Sequence, residues 1–304
     1  MADRGSTAIH PDAAGWPRPP GRPARAHWWS VQPPLPAAPI SAARAYGEVL
    51  LVFGAFFAAS ILAGGETLAG RYPVPSGSWA VFAPQAVQEI AICVLAVLVV
   101  VLASARRGIT PRMLGIGWPR RSDGTAGGAQ SLRIAAWAVL ALVAGGALTA
   151  QLAGRHHLGQ PAHQDYGYLI FTVTASIAAG VVEELVVLAF VVTTLRQARR
   201  PLPEIVLVGT ALRCSYHDYY GLGVAGIAVW AAVFIWLFLR TGSVLPMLAV
   251  HVLWDMAIYL GQRWQAVLAI RAAAIVLLYL AAVTTWAIGW MSRRARPGAP
   301  QAPP

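Results

Sequence analysis

Long apolar runs, broken by short polar clusters, organise this 304-residue chain. A helix that spans a bilayer needs about 20 mostly apolar residues. Eight segments approach that requirement: 47–69, 80–104, 132–153, 167–195, 203–219, 222–240, 243–261 and 266–290. The fifth and seventh are short and carry polar residues, but turn chemistry marks their edges. Pro201 and Pro203 precede the fifth, "GLG" at 221–223 separates it from the sixth, and "RTGS" at 240–243 opens the seventh. The chain has no internal repeat. The expected fold is all-α: a polytopic membrane protein of about eight transmembrane helices.

Composition agrees. Charged residues make up 12% of the chain, about half the share usual in soluble domains, and mean hydropathy is +0.58. All 23 basic residues are arginine, which we read as coding bias of a GC-rich genome. The net charge of +11 does not point to nucleic acid, because the arginines sit at the ends of apolar runs without aromatic–basic interleaving. With the N-terminus inside, cytoplasmic segments hold 18 arginines and the outside loops keep Arg71, Arg155 and Arg263. That asymmetry predicts an integral multi-pass protein of the bacterial cell membrane with both termini cytoplasmic. Residues 1–42 are rich in Pro, Ala and Arg and lack a signal-peptide core; they read as a disordered cytoplasmic tail. The segment 105–131, with "SDGTAGGAQ", reads as the most flexible internal stretch. Cys93 and Cys214 lie in apolar runs and suggest neither a disulfide framework nor a Cys-based metal site. The 12 tryptophans fit interfacial belts and apolar helix faces.

Ionisable groups at membrane depth are costly and mark functional sites by default. The fourth run, "VVEELVVLAF" at 181–190, carries Glu183 and Glu184 side by side. The fifth carries Arg213, His217 and Asp218; the seventh carries His251 and Asp255. Glu89 in the second run and Arg271 in the eighth read as structural, paired with each other. His156, His157 and His163 read as a solvated outside loop. His251 and Asp255 are four apart and share a helix face, as do Arg213 and His217. At 1.5 Å of rise per residue, Glu183 and His217 lie roughly 20 Å from the cytoplasmic ends of their helices, Asp255 roughly 18 Å and His251 roughly 12 Å. Similar depths on three helices predict one shared polar chamber.

Two acids and two imidazoles suit hydrolysis. One buried carboxylate serves as general base on a water, and imidazole orients that water or donates to an oxyanion. A second mechanism stays open, in which Glu183, His217 and His251 hold a divalent metal such as zinc that activates the water. No HExxH zinc motif is present.

At these residues the sequence resembles the CAAX protease and bacteriocin-processing family (CPBP or Abi) of intramembrane endopeptidases. The family pattern is Glu-Glu-x-x-x-Arg, Phe-x-x-x-His and His-x-x-x-Asn/Asp on successive membrane helices. The matching stretches are "EELVVL" (183–188), "RCSYH" (213–217) and "HVLWD" (251–255). The resemblance covers about 165–262. It implies a four-helix catalytic core over 161–262, preceded by three N-terminal helices over 43–160 and followed by a last helix and cytoplasmic tail over 263–304. It also implies Glu183 as the base that activates water, Glu184 as its support, His217 as a second water-orienting group, and His251 with Asp255 as the pair that binds water or metal or steadies the oxyanion. Two positions depart from the pattern: Leu188 replaces the arginine and Arg213 replaces the phenylalanine. Both lie at similar depth, so Arg213 is expected to face Glu184 from the neighbouring helix.

The reading that follows is an intramembrane endopeptidase acting on a peptide or protein substrate among membrane lipids, without nucleic acid. Two others stand beside it: an inactive family member serving as scaffold or immunity protein, and a transporter or proton relay.

Overall fold

A computed structural model describes residues 35–69, 79–117, 128–153 and 166–294. The described residues are helices and turns, with no strand among them. The first three helices are α1 (Ala42–Leu68), α2 (Trp79–Ala105) and α3 (Gly128–Leu152). Next comes a continuous rod: α4 (Tyr166–Ala178), a wide-turn π-helical stretch (Ala179–Val192) and α5 (Thr193–Gln197). Then follow α6 (Leu202–Ser215), a 3₁₀ turn (Asp218–Gly223), α7 (Val224–Thr241), α8 (Leu245–Arg263) and α9 (Gln265–Arg294).

Local chemistry sets these boundaries. Ser41 caps α1 by accepting a hydrogen bond from the Arg44 amide at 3.2 Å. Pro201 caps α6 in extended conformation, and Glu204 sits in its first turn. Gly242, at φ 63°, ends α7 in the left-handed conformation that glycine adopts most readily. Among the described residues, five helical stretches are long and apolar enough to cross a membrane: α1, 82–105, 130–152, the rod 166–197, and 218–241. The protein is a multi-pass membrane protein.

The fifth expected span differs from the helix found. α6 has 14 residues, a rise of about 21 Å against a hydrocarbon core of about 30 Å. It stops at Ser215 because the chain turns through Tyr216 and His217 into the 3₁₀ segment, where Gly221 takes φ 55°. His217 therefore sits in a turn just beyond a short helix rather than on a continuous span.

The rod is the centre of the molecule. Its apolar window is 72% buried, against 17% for that of α2, so other helices, not lipid, surround it. Residues Val186 to Val192 have no exposure at all. The π-helical stretch touches α1, α2, α6, α7 and α8. Its approach to α8 requires Gly180: a Cβ there would lie 2.3 Å from Val252 Cγ2 and 3.0 Å from the Val252 amide nitrogen. This contact brings the glutamates beside His251.

Two segments expected to be loose are tied down in part. Within 105–131, residues 106–117 form turns with Ile109 and Leu114 buried. They dock on the α7–α8 turn, where the Val244 amide donates to the Gly115 carbonyl at 3.1 Å and Ser243 Oγ to the Gly117 carbonyl at 2.9 Å. The rest of that loop, 118–127, lies outside the described residues. The tail reading 1–42 falls mostly on residues 1–34, also outside them; at its end, Gln197 Nε2 donates to the Ala38 carbonyl at 2.8 Å.

Gly180→Ala should destabilise the protein by about 1–3 kcal/mol, the usual cost of overpacking. Thermal unfolding in detergent micelles checks this; an unchanged midpoint would mean that the rod and α8 can separate freely.

Candidate active site

The site begins with two neighbours that point to different partners. Successive side chains point in different directions around a helix, so the adjacent acids meet different partners. Glu184 has no solvent exposure, whereas Glu183 retains 9%.

Arg213 grips Glu184 from α6. Its Nη1 donates to Glu184 Oε1 at 2.8 Å and its Nη2 to Oε2 at 3.0 Å, a bidentate pair with both side chains buried. Nη2 also lies 3.4 Å from the Glu183 carbonyl oxygen. The pairing expected from depth alone is present: the cation has moved to the adjacent helix and still meets Glu184. Leu188, at the family's arginine position, is fully buried among apolar side chains instead. From α8, His251 Nδ1 donates to Glu184 Oε1 at 2.7 Å, and its Nε2 stands 3.5 Å from Asp255 Oδ2. The shared face of His251 and Asp255 thus becomes a chain running Arg213, Glu184, His251, Asp255.

Glu183 faces the other way. The Tyr216 hydroxyl donates to Glu183 Oε2 at 2.9 Å. The Tyr216 ring lies 4.6 Å from that of His217. His217 Nδ1 is 3.0 Å from the Arg213 carbonyl. A carbonyl only accepts, so Nδ1 carries the proton, and in the neutral ring Nε2 keeps a lone pair. Small residual exposures remain at Glu183 and His217, and 24% at the Asp255 side chain, whereas Glu184 has none.

Trp230 of α7 holds the assembly together. Its ring lies 4.6 Å beneath the Arg213 guanidinium, 5.3 Å from His251 and 6.3 Å from His217. Both Trp230 and Tyr216 escape sequence reasoning. Trp230 reads as one more apolar-face tryptophan; the signal for Tyr216 is a phenol next to a motif histidine at membrane depth, where a hydroxyl needs a partner.

Other candidates fall elsewhere. Asp218 turns toward α1, so close that a Cβ on Gly64 would overlap its Oδ1. Glu89 and Arg271 are not paired: among the described residues Glu89 forms no ion pair, and the Arg271 guanidinium lies 3.9 Å over the Trp254 ring. His156, His157 and His163 lie outside the described residues. The conditional metal ligands Glu183, His217 and His251 do not fit a divalent ion as arranged. Among the described residues no group of three or more His, Cys, Asp or Glu side chains is gathered to hold one, and both His251 nitrogens face carboxylates.

Removing one member of a buried charge pair costs about 3–5 kcal/mol, because the other charge is left alone. Arg213→Leu is therefore expected to lower the unfolding midpoint sharply. Arg213→Lys should recover only part, since an ammonium cannot bridge both Glu184 oxygens. Equal stability of the lysine variant and the parent would refute the importance of the bidentate geometry.

No curated protein and no solved structure matches the chain. Residues 165–257 match the family described as type II CAAX prenyl endopeptidase Rce1-like. The matched segment starts just before α4, ends within α8 and contains all three motifs. This stretch of the chain, which carries the paired glutamates and both histidines, is similar to the Rce1-like family.

Proposed function

We propose that this chain is an intramembrane endopeptidase that hydrolyses a peptide bond with a glutamate-activated water. The observation that carries the reading is the division of labour between the adjacent acids. Glu184 is fully engaged by Arg213 and His251, while Glu183 takes one hydrogen bond, on Oε2. Its Oε1 stays available. The Rce1-like match supports a prenylated C-terminal peptide as the substrate class.

In this reading a water bridges Glu183 Oε1 and His217 Nε2. Glu183 accepts one of its protons as the water oxygen bonds to the scissile carbonyl carbon. With its Nδ1–H given to Glu184, a doubly protonated His251 ring donates Nε2–H to the oxyanion, and Asp255, 3.5 Å from Nε2, balances the charge of the ring. The tetrahedral intermediate then breaks its C–N bond, and the proton held by Glu183 passes to the leaving nitrogen. Products are a carboxylic acid and an amine, with Glu183 restored. No metal enters these steps. Arg213 acts as a positioning residue through Glu184. The arginine asymmetry supports cytoplasmic termini.

Glu183→Gln should lower turnover of a farnesylated CAAX-type peptide by about 10²–10⁴-fold, the usual contribution of a general base. Retention of more than a tenth of parental turnover in purified proteoliposomes would sink this role. His251→Ala and Asp255→Ala should each impair turnover, and the double variant should lose little more than the worse single one. Additive losses in that cycle would place the two residues in independent roles.

A further inference from the structure

The proposed base is the less constrained of the two glutamates. It has no ion pair among the described residues, and Tyr216 supplies its one side-chain hydrogen bond. A glutamate side chain has several rotatable bonds, and a base acts well only when held in line with its water. The position of Glu183 therefore depends on what holds Tyr216.

Tyr216 follows directly on α6, with φ −96° and ψ 3°. From there its ring reaches α1. It stacks on Phe57 with centroids 4.2 Å apart and planes 13° from parallel. Phe53 flanks it at 6.0 Å and also packs on Phe57 at 4.9 Å. All three rings are buried. α1 lies outside the segment that matches the Rce1-like family.

We propose that Tyr216 is a positioning residue that locks the Glu183 carboxylate by donating its hydroxyl to Oε2, and that Phe57 of α1 sets the tyrosine ring in place. The proposal rests on the reading of Glu183 as the base. Packing alone does not account for tyrosine here, since phenylalanine would stack equally well. The hydroxyl is the difference, and it is directed at the carboxylate. Its consequence is asymmetry: one Glu183 oxygen is held by protein and the other is presented to water. The first helix thus becomes part of the catalytic architecture.

The test uses the full-length protein in lipid nanodiscs. Infrared difference spectra, parent minus Glu183→Gln, isolate the Glu183 carboxylate band. Tyr216→Phe, which keeps the ring and the stacking, should shift that band. Phe57→Leu should shift it in the same direction by less. An unmoved band in Tyr216→Phe overturns the proposal, whether or not any substrate is cleaved. On a fluorogenic farnesylated peptide, Tyr216→Phe should lower kcat by about 10- to 100-fold, as expected for loss of a hydrogen bond to a charged group. KM should stay within about twofold, because the hydroxyl acts on the base rather than on the substrate. Phe57→Leu should lower kcat by about 2- to 10-fold. If Glu183→Gln is inactive while Tyr216→Phe keeps parental kcat, the positioning role is wrong. If Glu183→Gln itself stays active, the assignment of the base fails, and the infrared shift still decides whether Tyr216 holds that carboxylate.

Discussion

The buried pair between Glu184 and Arg213 is the interaction on which the site depends. Two charges at membrane depth are tolerated only when each satisfies the other, and the two parallel hydrogen bonds at 2.8 and 3.0 Å do that. The pair also joins helices. Glu184 comes from the central rod, Arg213 from the short α6, and His251 completes the link to α8. Trp230 adds α7 by lying against the guanidinium and His251. With Glu184 engaged by Arg213 and His251, its neighbour Glu183 is left with the Tyr216 hydroxyl alone.

That outcome answers why two acids stand together in an apolar run. On a helix they diverge, so one joins Arg213 and His251 and the other turns to Tyr216. The backbone at this point is a 14-residue π-helical stretch. Such wide turns are rare and occur chiefly at functional sites, where they re-aim side chains that a regular helix would direct elsewhere. The Glu183 carbonyl, close to Arg213 Nη2 at 3.4 Å, shows how the guanidinium also meets the backbone there. Gly180, one residue into the π-helical stretch, lets α8 approach closely enough for His251 to reach Glu184. Winding, close approach and ion pair therefore act as one device.

The helices before the Rce1-like segment are part of the same construction. α1 supplies the aromatic wall behind Tyr216. At the other end of the rod, Arg107 follows α2 and joins Thr194 at 2.8 Å and Glu48 of α1 at 3.3 Å, with Phe190 5.0 Å below its guanidinium. The rod is thus held by polar contacts near both its middle and its end, and by apolar packing between.

Much of the molecule is legible in one dimension. Apolar run length determines where helices form, because the bilayer demands it. Depth along those runs brings Glu183, Glu184, Arg213, His217, His251 and Asp255 to comparable levels, and the four-residue spacing puts His251 and Asp255 on one face. Even the relocated arginine follows from depth, since a cation needs an acid at its own level. What depth does not contain is rotation about each helix axis. A rod whose two acids are adjacent in an apolar run has no single polar face to orient it, so packing decides which way its side chains point. That is why Tyr216, Trp230 and Phe57 emerge only in three dimensions, and why Asp218 turns to α1 while Arg271 settles on Trp254 instead of Glu89. The truncation of α6 belongs to the same class, because hydropathy does not mark the turn through Tyr216 and His217 that ends it. Sequence alone determined the helices, their depth and the residue types of the chamber. Tertiary structure decided their rotation, and with it which acid is paired with Arg213 and which meets only Tyr216.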